Sequence, residues 1–228
     1  MRRLNYSILN SKYTKIAKGN VRLTQSSLFL TKPINNTVTT YNFDVLETQT
    51  QTLQNDEIRL NLNDEFNITS IGLYLVGKFV KEDGTTLGEN TKLFTYAPYN
   101  LSTPNAVRVQ NFYAGTFKIA INNIVYMEKW DTARHEHVTR TQNGDFLTPN
   151  SATISSQSLA KDAMFDLANI ITLSGAKKND LTITLPSAIA NGSFSFIDNS
   201  GAVNQIVIDR VGCRLFGFLA QNAASFQR

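Results

Sequence analysis

The stretch that most limits the fold lies near the carboxyl end. In "NQIVIDRVGCRLFGFLA", residues 204–220, Ile206 and Ile208 alternate with Val207 and Asp209. Val211, Leu215, Phe216, Phe218 and Leu219 then crowd in behind them. Apolar side chains on both parities of a strand need cover on both of its faces. Leaving each large one in water would cost roughly 1.5–3 kcal/mol. The segment is expected to be a central, buried strand, with Phe216 buried and Gly212 and Gly217 marking bends or bulges. Such a strand needs neighbours along both edges, and the rest of the chain must supply them.

It does so in short runs. "VRLTQSSLFLTKP" carries Val21, Leu23, Leu28 and Leu30 before Pro33 stops it. "TVTTYNFDVLE" sets Val38, Thr40 and Asn42 against Tyr41, Phe43 and Val45, and "DEIRLNL" alternates Ile58, Leu60 and Leu62. "FNITSIGLYLVGKFV" is long, β-branched and apolar, which favours strand over helix. An Asp83–Gly84 turn follows it, then a strand and loop over "LFTYAPYNLSTPN". "FKIAINNIVYME" reads as a hairpin tipped by Asn122–Asn123, since Asn tolerates the positive φ of a type I′ turn. Its register would set Ile121 opposite Ile124, Ile119 opposite Tyr126 and Phe117 opposite Glu128, with the Phe117–Ile119–Ile121 face entering the core. "DLTITLP" and "SFSFID" add two more strands, with a turn at Asn199–Ser200–Gly201 after the second.

One segment reads differently. In "SSQSLAKDAMFDLANIITLSG", Leu159, Ala163, Leu167, Ile170 and Ile171 recur at helical spacing. A helix over about 157–173 is expected, capped by Ser155, Ser156 or Ser158 and closed by Gly175. The fold class predicted is therefore all-β: a single jelly-roll-type β-sandwich or barrel over residues 20–228, with one inserted helix and a basic arm over 1–19.

Composition agrees with many strands and polar loops. The chain of 228 residues contains 24 Asn and 24 Thr, and only 18% of its residues are charged. Arg2, Arg3, Lys12, Lys15, Lys18, Arg22 and Lys32 all precede the first acid, Asp44, so residues 1–43 carry +7. The whole chain carries +4, which leaves −3 for residues 44–228. A basic arm on a slightly acidic body suits contact with phosphate or docking on another subunit. The candidate contact residues are Arg2, Arg3, Lys12, Lys15, Lys18 and Arg22. A lone cysteine, Cys213, cannot close an internal disulfide, and no run approaches the ~20 apolar residues of a transmembrane segment.

No catalytic constellation is legible. His135 and His137 would share one face of a strand with Asp131, but a metal site needs three or four placed ligands, so neither is taken as one. Trp130 is expected to pack in the core or an interface. The glycine-rich phosphate loops and the nucleophile-elbow motif are absent from the sequence. Cys213 reads as a small hydrophobe. The carboxylate pairs Asp64–Glu65 and Glu82–Asp83 are expected at solvated turns. No enzyme activity, cofactor or metal is predicted.

The basic arm, the strand-rich domain and the Asn- and Thr-rich loops together resemble a jelly-roll capsid protein. "INNIVYMEKWDTARHEH" with "RLFGFLAQNAASFQR" is similar to structural proteins of small icosahedral, tail-less bacteriophages. The resemblance implies a virion protein made in the host cytoplasm, most simply the major capsid subunit. Its partners would be copies of itself, other virion proteins and encapsidated nucleic acid reached through the arm. The alternatives are a minor vertex or spike protein and a carbohydrate-binding β-sandwich, whose platform would have to come from Tyr99, Phe112 or Tyr113. A jelly-roll enzyme using the two histidines ranks third.

Overall fold

The computed structural model describes residues 2–17, 20–47, 57–81, 92–94, 103–136, 164–189, 194–197 and 204–227. Their elements, in chain order, are α1 (Arg2–Ala17), β1 (Arg22–Pro33), β2 (Thr40–Phe43), β3 (Glu65–Lys81), β4 (Lys92–Phe94) and α2 (Thr103–Tyr113). After these come β5 (Thr116–Ile121), β6 (Ile124–Asp131), β7 (Phe165–Ser174), β8 (Asn179–Thr184), β9 (Phe194–Ile197) and β10 (Asn204–Gln221). Short 3₁₀ helices cover Thr132–His135 and Ala223–Gln227.

β10 holds the first sheet together, as its two-sided apolar pattern requires. Along one edge it pairs antiparallel with β3, from Asn204 opposite Lys81 to Ala220 opposite Glu65. Its other edge is shared by β1, at Arg210 to Gln221, and β9, at Gln205 to Ile208. The outer edge of β3 is shared in the same way by β4 and β7. The second sheet runs β2–β8–β5–β6, again antiparallel throughout. Four of the pairings nest within one another in the chain: β5 with β6, β3 with β7, β2 with β8 and β1 with β10.

The two sheets pack face to face as a β-sandwich. Leu28, Leu30, Phe66, Ile68, Leu73 and Leu215 of the first sheet meet Phe43, Phe117, Ile119, Leu181 and Ile183 of the second in one core. The first sheet is also covered on its outside. There α1 lays Leu9 and Tyr13 against Ala220, Ala223 and Phe218, and Phe29, Tyr74 and Val76 form a second patch with Met164. Gly217 lies where β3 changes register; a Cβ there would sit 1.8 Å from the Asn67 carbonyl oxygen. Gly212 is also closely packed, against Val76 and Phe29, but it lies in regular ladder. Phe216 faces the outer side and is half-buried, so it is not the core residue the apolar crowding suggested.

Several local expectations are corrected. Where a helix over about 157–173 was expected, Phe165–Ser174 is a strand, and residues 157–163 lie outside the described residues. Leu167, Ile171 and Leu173 turn inward, and the ladder to β3 skips from Asp166 to Ile171. That break lets Leu167, Ile170 and Ile171 keep an i, i+3, i+4 spacing without a helix. The open edge of β3 has backbone donors and acceptors to satisfy, and this overrides a weak helical propensity. Conversely, α2 begins at the end of a stretch read as loop and continues through residues 106–113, for which the sequence predicts no element. Pro104 suits a first helical turn and Gly115 stands just past the end; Val109, Phe112 and Tyr113 are its buried face. The segment around Ile58 to Leu62 forms only isolated bridges, with Leu60 buried and Ile58 and Leu62 exposed. Residues 1–19, expected to be an irregular arm, are mostly the helix α1. The turns at Asp83–Gly84 and Asn199–Gly201 lie outside the described residues.

Candidate assembly surfaces

The β5–β6 hairpin forms as its sequence predicts at the tip and departs from it along the arms. Asn122 and Asn123 both take positive φ, 48° and 64°, and Ile121 pairs with Ile124. Beyond that, Ile119 pairs with Met127 rather than Tyr126, and Phe117 pairs with Trp130 rather than Glu128. Two irregularities in the ladder produce the change, and Lys129 adopts φ 50° at one of them. Phe117, Ile119 and Ile121 do enter the core. The tip is clamped: the Asn122 amide donates to the Lys178 carbonyl at 2.9 Å, and the Lys178 amide donates to Asn122 Oδ1 at 3.0 Å. Yet Ile124, Val125 and Tyr126 stand 62%, 44% and 54% exposed in succession. Beside them, on the outer face of the second sheet, lies a shallow depression of about 390 Å³ lined by Lys118, Ala120, Asn123, Val125, Asp180 and Thr182.

Helix α1 forms the second surface. Tyr6, Leu9 and Tyr13 recur at spacings of three and four, a helical signal obscured by the basic and polar residues between them. Leu9 and Tyr13 are buried on the outside of the first sheet, and Tyr6 meets the Phe218 ring at 5.8 Å. Tyr13 Oη donates to Glu65 Oε2 at 2.8 Å, and Asn67 Nδ2 donates to Tyr13 Oη at 2.9 Å. Thr172 Oγ1 donates to Asn67 Oδ1 at 2.9 Å, extending the network to β7. Glu65 is therefore a buried residue under the helix, not a solvated turn residue as expected. Burial, reinforced by the neighbouring Glu65 charge, pushes the Tyr13 phenol far above its usual range.

The described basic residues named from sequence are distributed over α1 and the start of β1. Arg2 and Arg3 lie in the first turn of α1. Lys12 sits 3.9 Å from Glu65 and 4.8 Å above the Tyr13 ring, so the protein's own body matches its charge. Lys15 and Arg22 are exposed, and Lys18 lies outside the described residues. The Tyr13–Glu65–Asn67 network was missed because Tyr13 lies more than fifty residues from both of its partners in the chain.

His135 has a different setting from the shared strand face expected of it. β6 ends at Asp131, whose carboxylate accepts from the Ala133 amide and caps the 3₁₀ helix. His135 is fully buried; its Nε2 accepts from Trp130 Nε1–H at 2.9 Å, and its ring packs edge-on against Phe165. An accepting Nε2 requires neutral imidazole with its proton on Nδ1. Trp130 packs against the core. His137 lies outside the described residues, among which no group of three His, Cys, Asp or Glu is placed to hold a metal ion. The Cys213 thiol is buried, and burial pushes its pKa far up, as expected for a small core hydrophobe. Phe112 and Tyr113 are core residues, so neither serves as an exposed stacking platform; Tyr99 is outside the described residues. No helix among the described residues is long and apolar enough to cross a membrane. No protein-family model matches the chain, and no curated protein matches it.

Proposed function

We propose that the chain is a virion structural subunit, the major capsid protein of an icosahedral shell, which works by associating with copies of itself around a genome. The nested strand pairing carries this reading. Eight strands pair first with last, second with seventh, third with sixth and fourth with fifth; β4 and β9 are additions at the edges. Joining β10 to β3 and β8 to β5 winds that ribbon into two sheets. That winding supports the jelly-roll reading, a fold common among viral shell subunits.

Lectin-like modules use jelly rolls too, and fold alone does not specify function. The burial of Phe112 and Tyr113 favours the shell subunit over a carbohydrate binder, which would present aromatic faces to a sugar. The exposed apolar run on a clamped hairpin also favours protein contacts, since single domains seldom leave such runs in water. The neutralisation of Lys12 by Glu65 favours docking of α1 on protein, and leaves Arg2, Arg3, Lys15, Lys18 and Arg22 for contact with nucleic acid.

Sedimentation and negative-stain electron microscopy of the purified protein test the proposal. Closed shells or capsomer rings are expected. A protein that stays monomeric from dilute to concentrated solution would remove it. Deleting residues 1–19 should leave a folded body that no longer forms particles; normal particles from that variant would exclude the arm from assembly.

A further inference from the structure

We infer that the exposed strip Ile124–Val125–Tyr126, with the depression beside it, is a contact surface for a second copy of this chain. The inference rests on the self-association proposed above and names the surface that performs it. Three successive large apolar residues lie in water at the rim of the sheet, Val125 on the outer face with Ala120 and Ile124 on the other face with Ile121, although the hairpin tip beside them is fixed by two hydrogen bonds to Lys178. Apolar groups presented on a fixed frame lose little conformational entropy when covered.

The geometry restricts how a partner is met. Among the described residues β6 is the edge of its sheet, with irregularities near Tyr126 and Lys129. Breaks of this kind interrupt an edge and oppose the addition of another strand. The partner is therefore engaged through side chains around the rim of β6 and the outer sheet face beside Val125, not by extending the sheet. Charge identifies the partner. Along the hairpin and the adjoining turn, the four cations Lys118, Lys129, Lys177 and Lys178 stand among the three anions Glu128, Asp131 and Asp180, a net of only +1. A nucleic acid or an acidic membrane would call for an excess of cations. A surface with both signs interspersed around an apolar strip and almost no net charge is suited to a copy of itself. Size then fixes the kind of association. A stable interface covers about 800 Å² per partner, more than three half-exposed side chains supply, so the contact must extend over the exposed Lys118 and Asn123 beside them. A single such contact is weak and gains strength in an assembly that repeats it.

The test measures sedimentation of the full chain against concentration for the parent, for a variant carrying Val125→Asp and Tyr126→Asp, and for Tyr126→Ser alone. Tyr126→Ser changes only the exposed residue next to the ladder break and keeps the test open if the double variant fails to fold. The parent is expected to associate, and the folded variants to need at least about tenfold higher concentration. Variants that associate like the parent would overturn this surface and leave self-association standing. A parent that never associates would overturn both. A single-stranded oligonucleotide bound by the parent and lost in Tyr126→Ser would overturn the second-copy assignment in favour of nucleic acid.

Discussion

Tyr13 shows how one hydroxyl can fix an element that has little else to hold it. Its ring supplies apolar contact for α1, and its Oη meets Glu65 and Asn67 on the outside of the sheet. Tyr13→Phe keeps the ring and leaves two buried polar groups short of a partner, which should cost about 1–3 kcal/mol. Urea unfolding compares it with the parent; equal midpoints would mean that α1 is not docked in solution. The same burial gives a pH dependence. Tyr13, Tyr113 and Cys213 are all raised by desolvation. In the unfolded chain the thiol ionises near ~8.5 and the phenols near ~10. As pH rises, the unfolded state loses these protons first, so the stability present below ~8.5 declines steadily above it. Thermal melting should be level from neutrality to about pH 8.5 and fall beyond, less steeply in Tyr13→Phe. Neither this network nor the Trp130–His135 bond was legible in the sequence. A hydroxyl names no partner, and the Trp130–His135 bond depends on where the 3₁₀ helix turns the imidazole.

Along β10 the alternation of its faces orders the costs of substitution. Leu215 faces the core and is fully buried, so Leu215→Ala should cost about 2–5 kcal/mol. Phe216, its neighbour, faces outward and is half-buried beside Arg214, whose guanidinium lies 5.7 Å from the ring. Phe216→Ala should cost roughly 1–2 kcal/mol, well below the ~3–5 of a buried phenylalanine. Thermal melts of the two variants decide the order; a larger loss in Phe216→Ala would place that ring inside the sandwich. Gly217→Ala should also destabilise, because its Cβ would strike the Asn67 carbonyl. The strand was legible because apolar residues on both parities admit one interpretation, whereas its bulge depends on Thr69 of a distant strand. The hairpin divides in the same way. Two Asn residues encode the tip, but the ladder breaks that reset its arms arise from packing.

At the scale of the molecule, the outermost pair joins residues 22–33 to 210–221, so the sandwich cannot close until both ends of the chain are present. A chain ending before residue 204 lacks the strand between β1 and β3 and should fail to fold, giving no cooperative melt or dispersed amide spectrum. A folded truncation would mean that the first sheet has another centre. With its longest-range pairing needed last, refolding is expected in the millisecond-to-second range typical of all-β topologies, as stopped-flow fluorescence of Trp130 would measure.

The residues alone determined that the protein is mostly β, that 204–220 is its central strand, that Asn122–Asn123 turns a hairpin, and which face of Phe117–Ile121 is buried. Each follows from an alternation or a turn preference within a few neighbouring positions, where the pleat and local φ preferences act. The tertiary structure alone decided that 165–174 is a strand, that 103–113 is a helix, how the hairpin arms register, and that Lys12 lies beside the buried Glu65. Those outcomes depend on backbone groups and side chains tens of residues away: an unpaired edge of β3, a sheet face needing cover, a carboxylate needing a cation. Local propensities of a few tenths of a kcal/mol per residue yield to contacts of that size.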